Sequence, residues 1–391
     1  MNDAFTFLDV GYVGTPIHWT NAQMIPTWWG VVVFNPISLW YSNWIDTTEE
    51  DKDFFYEDTF GIELPEWINN TQLIPKSWGL IAFNPGVGKY AKWYSHGPDY
   101  YRWMDVQSIG PTLVNAQMIP TSWGVVVFNP STGAYAKWYD TPSTSNNPNW
   151  QPYFQTGNTQ GLGSTLVNAQ MIPTSWGVVV FNPSTGAYAK WYDTPSTSNK
   201  PNLQPYFQYQ NTQGLGSTLV DAQMIPTDWG IIALAPSAGP SSTGLFQKGY
   251  EVGGSNFEFQ DIQIIRSDWA PAQLIPARGG VFIFNPKTGK YAIGAEVHGM
   301  RFEFYGEQFI PGDSSGPWVN AQLIPTAWGL IVFNPSTGEY ALAFAPDYQF
   351  GEVQSISGDS SGPWINAQLI PMYWGAVAYN PATRAFSKGY N

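Results

Sequence analysis

The segment Trp123–Pro130, WGVVVFNP, is apolar on both of its alternating faces. That pattern predicts a strand buried on both sides, and its run of β-branched residues argues against a helix. Asn129-Pro130-Ser131-Thr132-Gly133 follows. Proline presets φ for a turn, and Gly133 can take a positive φ at the exit of a hairpin. Ala134–Asp140, AYAKWYD, then runs back as a second strand. A polar loop leads to a third, seen most clearly in Arg301–Phe309, RFEFYGEQF. The segment VNAQLIP, Val319–Pro325, supplies a fourth and ends at a proline, which cannot donate to a ladder. No capping box followed by a 3.6-residue apolar period stands out, so helix is expected to be close to absent.

The pattern repeats. A signature N-A-Q-[ML]-I-P-T-x-W-G starts at Asn21, Asn70, Asn115, Asn168, Asp221, Pro271, Asn320 and Asn366, at intervals of 45 to 53 residues. A period of roughly 49 residues points to a propeller, a solenoid or an array. Gln and Ile-Pro occur in every copy, and Trp-Gly in all but the sixth, where Gly279-Gly280 stands. Thr112–Asn146 and Thr165–Asn199 are identical, as a recent duplication would leave them. About four strands per unit joined by tight turns make a propeller blade.

The two ends of the chain bear on closure. The last unit stops at Asn391, directly after its second hairpin strand. The strand expected next appears at the other end, where Asp3–Gly14 aligns with Tyr100–Gly110 and Tyr348–Gly358. A blade split in this way pairs the first strand of the chain with the last and leaves no open sheet edge. The expectation is an all-β chain, one repeat domain over residues 1–391. It forms an eight-bladed β-propeller whose last blade is closed by the N-terminal strand. An open solenoid would instead need atypical polar capping repeats.

Composition narrows the partners. Aromatic residues reach 17%, with 20 Trp, and charged residues only 12%, so this is no disordered acidic chain. The net charge of −13 and the lack of any Lys/Arg cluster disfavour nucleic acid and anionic lipid. There are no cysteines, which excludes disulfides and thiol chemistry. No run approaches the length of a membrane-spanning helix, so no membrane insertion is expected. The N-terminal MNDAFTFLDVGYVG lacks the basic and apolar regions of a signal peptide. Localisation stays open: this fits a cytoplasmic protein, one released without a classical signal, or one whose signal has been removed.

Several motifs invite a chemical reading. GDSSGP, at Gly312–Pro317 and Gly358–Pro363, is similar to the nucleophile segment of chymotrypsin-type proteases. It is duplicated, lies between units and is made of turn formers. The three histidines, His18, His96 and His298, stand in unrelated phases, so a Ser-His-Asp arrangement is not expected. The acidic run Glu49, Glu50, Asp51 and Asp53 lacks the spacing of a calcium loop. No metal site, cofactor or catalysis is expected.

Three recurrent side chains remain. The tryptophans of Trp-Gly (Trp29, Trp78, Trp123, Trp176, Trp229, Trp328 and Trp374) could form sugar platforms. Opening the most apolar strand, they are expected instead to be core, with Arg278 or Phe282 compensating at Gly279. The invariant glutamines (Gln23, Gln72, Gln117, Gln170, Gln223, Gln273, Gln322 and Gln368) sit among apolar residues. They are expected to satisfy buried backbone groups. A lysine recurs at Lys92, Lys137, Lys190, Lys248 and Lys388, replaced by Asn43, Ile293 and Leu342 elsewhere. Trp93, Trp138 and Trp191 follow three of the lysines, and Asp140 and Asp193 close two of the strands. An aromatic face beside charged hydrogen-bonding groups suits a sugar, whose CH groups lie on the ring and whose hydroxyls meet the polar groups. The candidate ligand-binding residues are therefore Lys92, Trp93, Lys137, Trp138, Asp140, Lys190, Trp191 and Asp193.

In architecture the chain resembles the β-propeller lectins. The W-G-V-V-V-F-N-P-x-T-G-x-Y hairpin is similar to the tectonin repeat, which also leads from a Trp-Gly strand through a glycine turn. The resemblance covers the hairpin alone. It implies glycans or glycoconjugates as partners, bound at several repeated sites without catalysis. The alternative is a structural or protein-interaction scaffold, possibly self-assembling.

Overall fold

In the computed structural model the described residues are 6–7, 11–12, 19, 21–27, 29–46, 54–62, 67, 70–76, 79–95, 101–121, 124–139, 160–161, 166–174, 177–192, 213–214, 221–227, 230–235, 244–252, 256–259, 263–265, 269, 272–277, 280–297, 301–312, 318, 321–345, 347–356, 364, 367–372 and 374–390. They form eight antiparallel sheets of four or five strands, one for each repeat. The eight sheets fit the eight blades of a β-propeller. The chain divides into two compact units, residues 1–77 with 271–391, and residues 78–270.

Blade three shows the plan. Numbered across the sheet, its strands are Gln117–Pro120, Gly124–Asn129, Ala134–Tyr139 and Gln160–Gly161. The first strand is the signature itself and stands at one edge. The second strand is apolar throughout and buried throughout, as the double-faced pattern predicts. Both faces are covered because blades pack face to face. Ile331 and Phe333 of blade seven share a core with Leu369, Ala376 and Ala378 of blade eight. Val178 and Val180 of blade four pack with Val126 and Phe128 of blade three. Each such valine, leucine, isoleucine or phenylalanine contributes roughly 1.5–3 kcal/mol by leaving water.

The turns explain the rest of the hairpin sequence. Asn129 is 5% exposed, and its Oδ1 accepts from the Ser131 N–H at 3.0 Å. Its amide donates to the Val114 carbonyl at 2.8 Å, tying the turn to the segment before the signature. Asn182 repeats both contacts in blade four. Gly133 takes φ 69°, as expected, and Gly186, Gly289 and Gly338 match it. In blade eight Arg384 stands in that conformation, with φ 65°.

The signature asparagine also has a backbone reason. Asn21, Asn115, Asn168 and Asp221 all have φ between 62° and 65°, a region that Asn and Asp tolerate best among residues with a side chain. That left-handed step turns the chain from a buried anchor into the first strand. The anchor is Trp19, Trp318 or Trp364 in three repeats and Leu113 or Leu166 in two others. Trp67 and Trp269 are buried anchors as well. None of these tryptophans is more than 3% exposed. The anchor's sequence signal is a tryptophan or leucine two or three residues before the signature.

Blade eight contains both ends of the chain. Its strands are Gln368–Met372, Gly375–Asn380 and Ala385–Tyr390, and Thr6–Phe7 and Gly11–Tyr12 pair with the last of these. The register sets Thr6 opposite Tyr390 and Gly11 opposite Phe386. Four residues of the segment 3–14 thus lie in the sheet predicted for it, and the rest of the segment lies outside the described residues.

Candidate functional site

The T-x-W-G segment is a tight turn between the first and second strands. The Thr326 N–H donates to the Gly329 carbonyl at 2.9 Å, and the Gly329 N–H donates to Thr326 Oγ1 at 3.0 Å. Thr121 with Gly124 and Thr227 with Gly230 make the same pair of bonds. The tryptophan therefore lies at the tip of a hairpin, not within the buried strand. Trp29, Trp328 and Trp374 are half-buried, which corrects the expectation that they are core. Trp328 packs against the core between blades seven and eight and lies 5.1 Å, ring to ring, from Phe344, itself 41% exposed. Trp78, Trp123, Trp176 and Trp229 lie outside the described residues. In the sixth repeat Phe282 is buried and lies 4.7 Å, ring to ring, from Tyr348, but burial at this strand position is common to all repeats; Arg278 and Gly279 lie outside the described residues.

The recurrent lysine lies on the third strand, and where its side chain is described it is interior. Lys92 is 0% exposed and Lys388 2%. Lys388 Nζ stands 5.1 Å from the centroid of the Trp374 ring, a cation–π contact within one blade. Blade seven has Leu342 at this position, and there Trp328 packs on Phe344 instead. Two motifs that the sequence kept separate, the Trp-Gly turn and the third-strand lysine, thus meet.

Trp93 is 1% exposed, so it is no open platform for a sugar ring. Its partner across the sheet is Leu80, and Trp44, 4% exposed, faces Val31 in the same way. This corrects the reading of Lys92 and Trp93 as surface ligand-binding residues. At this position of the third strand the aromatic side chains that are described, Trp44 and Trp93, are core. Trp138 and Trp191 hold the matching register, opposite Val125 and Val178, and Lys137 and Lys190 lie opposite Val126 and Val179. The side chains of these four residues, and Asp140 and Asp193 altogether, lie outside the described residues. So do the two Asp-Ser-Ser-Gly-Pro segments, the acidic run at 49–53 and all three histidines.

The signature glutamines reverse expectation most clearly. Gln322 is half-buried and the other seven are exposed. None of the eight side chains has a hydrogen-bond partner among the described residues. The turn asparagines satisfy buried backbone groups instead.

Other polar pairs are structural. The hydroxyl of Tyr340 donates to Gln354 Oε1 at 2.6 Å across the third and fourth strands, and Tyr90 with Gln107 and Tyr291 with Gln308 do likewise. Lys290 pairs with Glu307 at 2.8 Å. Among the described residues no three His, Cys, Asp or Glu side chains gather as a metal site requires, and no helix is long and apolar enough to cross a membrane.

Comparison with known proteins places no chemistry on this geometry. No protein-family profile matches the chain, and no curated protein matches it. Solved structures resemble its chain path at low identity. Virginiamycin B lyase from Staphylococcus aureus is 7% identical with a TM-score of 0.43, over 98% of this chain and 99% of that one. Sqt1 from Saccharomyces cerevisiae is 10% identical with a TM-score of 0.45, over 95% and 94%. AztD from Citrobacter koseri is 11% identical with a TM-score of 0.47, over 86% and 87%. At this distance none of them bears on what the chain binds.

Proposed function

We propose that the chain is a multivalent carbohydrate-binding propeller without catalysis. The observation that carries this reading is the partial exposure of the Trp-Gly tryptophans. A packing residue repeated around a propeller has no need of exposed ring surface, whereas a sugar needs an aromatic face beside hydrogen-bonding groups. Trp29, Trp328 and Trp374 are half-buried and keep part of their surface in solvent. In the duplicated blades the corresponding tryptophans are Trp123 and Trp176, and Asp140 and Asp193 are our candidates for the hydrogen-bonding groups beside them. Trp138 and Trp191 take the register of the buried Trp44 and Trp93. Single sites on an open surface are weak, and several acting together bind a surface carrying many copies of one sugar.

The test is a glycan array with the purified chain, followed by paired variants. Trp123→Ala with Trp176→Ala is expected to keep the β-sheet circular dichroism spectrum and lose most array binding. Binding to no glycan by the native protein overturns the proposal. Loss of binding only with a folded Trp138→Ala, Trp191→Ala variant moves the site to the third strand. The second reading, a protein-interaction scaffold, is favoured by exposed apolar side chains such as Phe309 at 67% and Ile37 at 52%. It predicts an empty array and an assembly that responds to changes at those two residues.

A further inference from the structure

We infer that the signature glutamines form a second binding surface, a row of carboxamides that holds a neutral, hydroxyl-rich linear glycan. The inference rests on the carbohydrate reading and adds a separate site to it. In the unit formed by residues 1–77 and 271–391, the first strands of successive blades neighbour one another in the order Gln273–Ala277, Gln322–Pro325, Gln368–Met372, Gln23–Thr27 and Gln72–Lys76. Each begins with its glutamine. Equal register, opposite Phe284, Phe333, Tyr379 and Phe34 in the first four, puts those amides at one level of their blades. The first strands of the other unit carry the same residue at their start.

Packing does not account for this identity. The buried positions of the repeat are fixed by what they touch, but the glutamines are exposed or half-exposed and bond to nothing among the described residues. Exposed positions without a task drift between the repeats. The residue after Asn-Pro in the hairpin turn is Ile37, Gly86, Ser131, Lys287 or Ala382, all exposed. The glutamine is the same in all eight copies. An exposed group held constant in that setting has a partner outside the blade.

The chemistry of the row limits that partner. A carboxamide donates and accepts at once and carries no charge, so it matches hydroxyl groups and has no preference for an ion. The net charge of −13 repels polyanions and a second copy of this chain. A peptide adding as an extra strand would need an unbroken ladder on the first strand, and every first strand has a proline at its fourth position, without a donor. A repeating ligand fits repeating amides, and its affinity should grow with its length.

Affinity electrophoresis through native gels tests this, with dextran, mannan, xylan and a polyuronate as separate probes. The native chain is expected to be retarded by at least one neutral polysaccharide, and excess monosaccharide should compete poorly. Alanine at Gln23, Gln72, Gln273, Gln322 and Gln368 together is expected to weaken that retardation at least tenfold with the melting temperature unchanged. Should that variant melt early, the pair Gln322→Ala with Gln368→Ala replaces it, and a several-fold loss is expected. Retardation that survives the glutamine changes but is lost with Trp123→Ala and Trp176→Ala overturns this inference and leaves the carbohydrate reading standing. Retardation by the polyuronate alone overturns the neutral ligand. No retardation and an empty glycan array overturn both.

Discussion

A Cβ atom on Gly329 would lie 2.0 Å from the carbonyl oxygen of Ala343, so the second strand of blade seven admits no side chain where it leaves the Trp-Gly turn. The clash is with backbone held in the ladder, which cannot swing aside. The glycine of Trp-Gly is present in all eight repeats, including the sixth as Gly280, while the tryptophan is not. Gly329→Ala is expected to cost about 3 kcal/mol, the upper part of the range for overpacking. Urea denaturation followed by tryptophan fluorescence measures it. A loss under 1 kcal/mol would mean that the turn yields easily.

The turn between the second and third strands of blade eight makes the opposite case. Arg384 has φ 65° where Gly133, Gly186, Gly289 and Gly338 stand in other blades, and its N–H makes the same bond to the turn asparagine, 2.7 Å to the Asn380 carbonyl. An L side chain in that region costs roughly 1–2 kcal/mol relative to glycine. Arg384→Gly is therefore expected to stabilise the protein by about 1 kcal/mol, less whatever the guanidinium contributes. Comparing urea midpoints of the two proteins decides the sign.

How much of this was legible follows one physical line. The repeat, the hairpin, the turn glycine and the strand shared between the termini could all be read, because period, turn chemistry and alignment are local properties. Exposure could not. In a strand with blades on both sides, alternation no longer separates core from surface, so Lys92 and Trp93 looked like a surface site and are interior. Exposure is decided instead by position along the strand. The glutamine at the start of the first strand and the tryptophan at the hairpin tip reach solvent, although their sequence neighbours are apolar. The buried anchors Trp19, Trp318 and Trp364 lie outside the strands, where strand patterning does not look.

Tyr379 stands where six other blades have phenylalanine and one has Leu234. Its hydroxyl is buried with no hydrogen-bond partner among the described residues. Burial pushes its pKa up to about 12, against the lesser pull of Arg384. Tyr379→Phe removes an unsatisfied group and is expected to stabilise by about 1 kcal/mol at neutral pH. The pH dependence has a definite sign. Between pH 10 and 12 the unfolded chain loses this proton and the folded chain keeps it, so stability falls as pH rises through that window. The phenylalanine variant should lack this part of the fall, as urea midpoints at pH 9 and pH 11 will show.

The two classes of tryptophan should separate on substitution. Trp318 is fully buried, donates through Nε1 to the Pro311 carbonyl at 2.6 Å, and fills the core between blades six and seven. Trp318→Ala is expected to cost about 3–5 kcal/mol. Trp328 is half-buried at a hairpin tip, and Trp328→Ala should cost about 1–2 kcal/mol. Equal losses, measured by thermal or urea melts, would mean that the Trp-Gly tryptophans are structural after all and would weaken the carbohydrate reading.

The sheet that joins the two ends gives the last expectation. Among the described residues, Thr6–Phe7 and Gly11–Tyr12 are what pairs with the outer side of Ala385–Tyr390. Removing residues 1–14 turns that strand into an edge with unpaired donors and acceptors, a template for pairing with another chain. Two effects should appear together. The melting temperature should fall, because blade eight loses its outer strand. The protein should also self-associate as its concentration rises, which size-exclusion chromatography at several loadings detects. Removing residues 1–5 alone, which precede the paired strands, should do neither. A protein lacking residues 1–14 that stays monomeric and melts with the full chain would show that the terminal strand contributes nothing to blade eight. A loss of melting temperature without self-association would show instead that the strand matters for packing and that the bared edge is covered by other means.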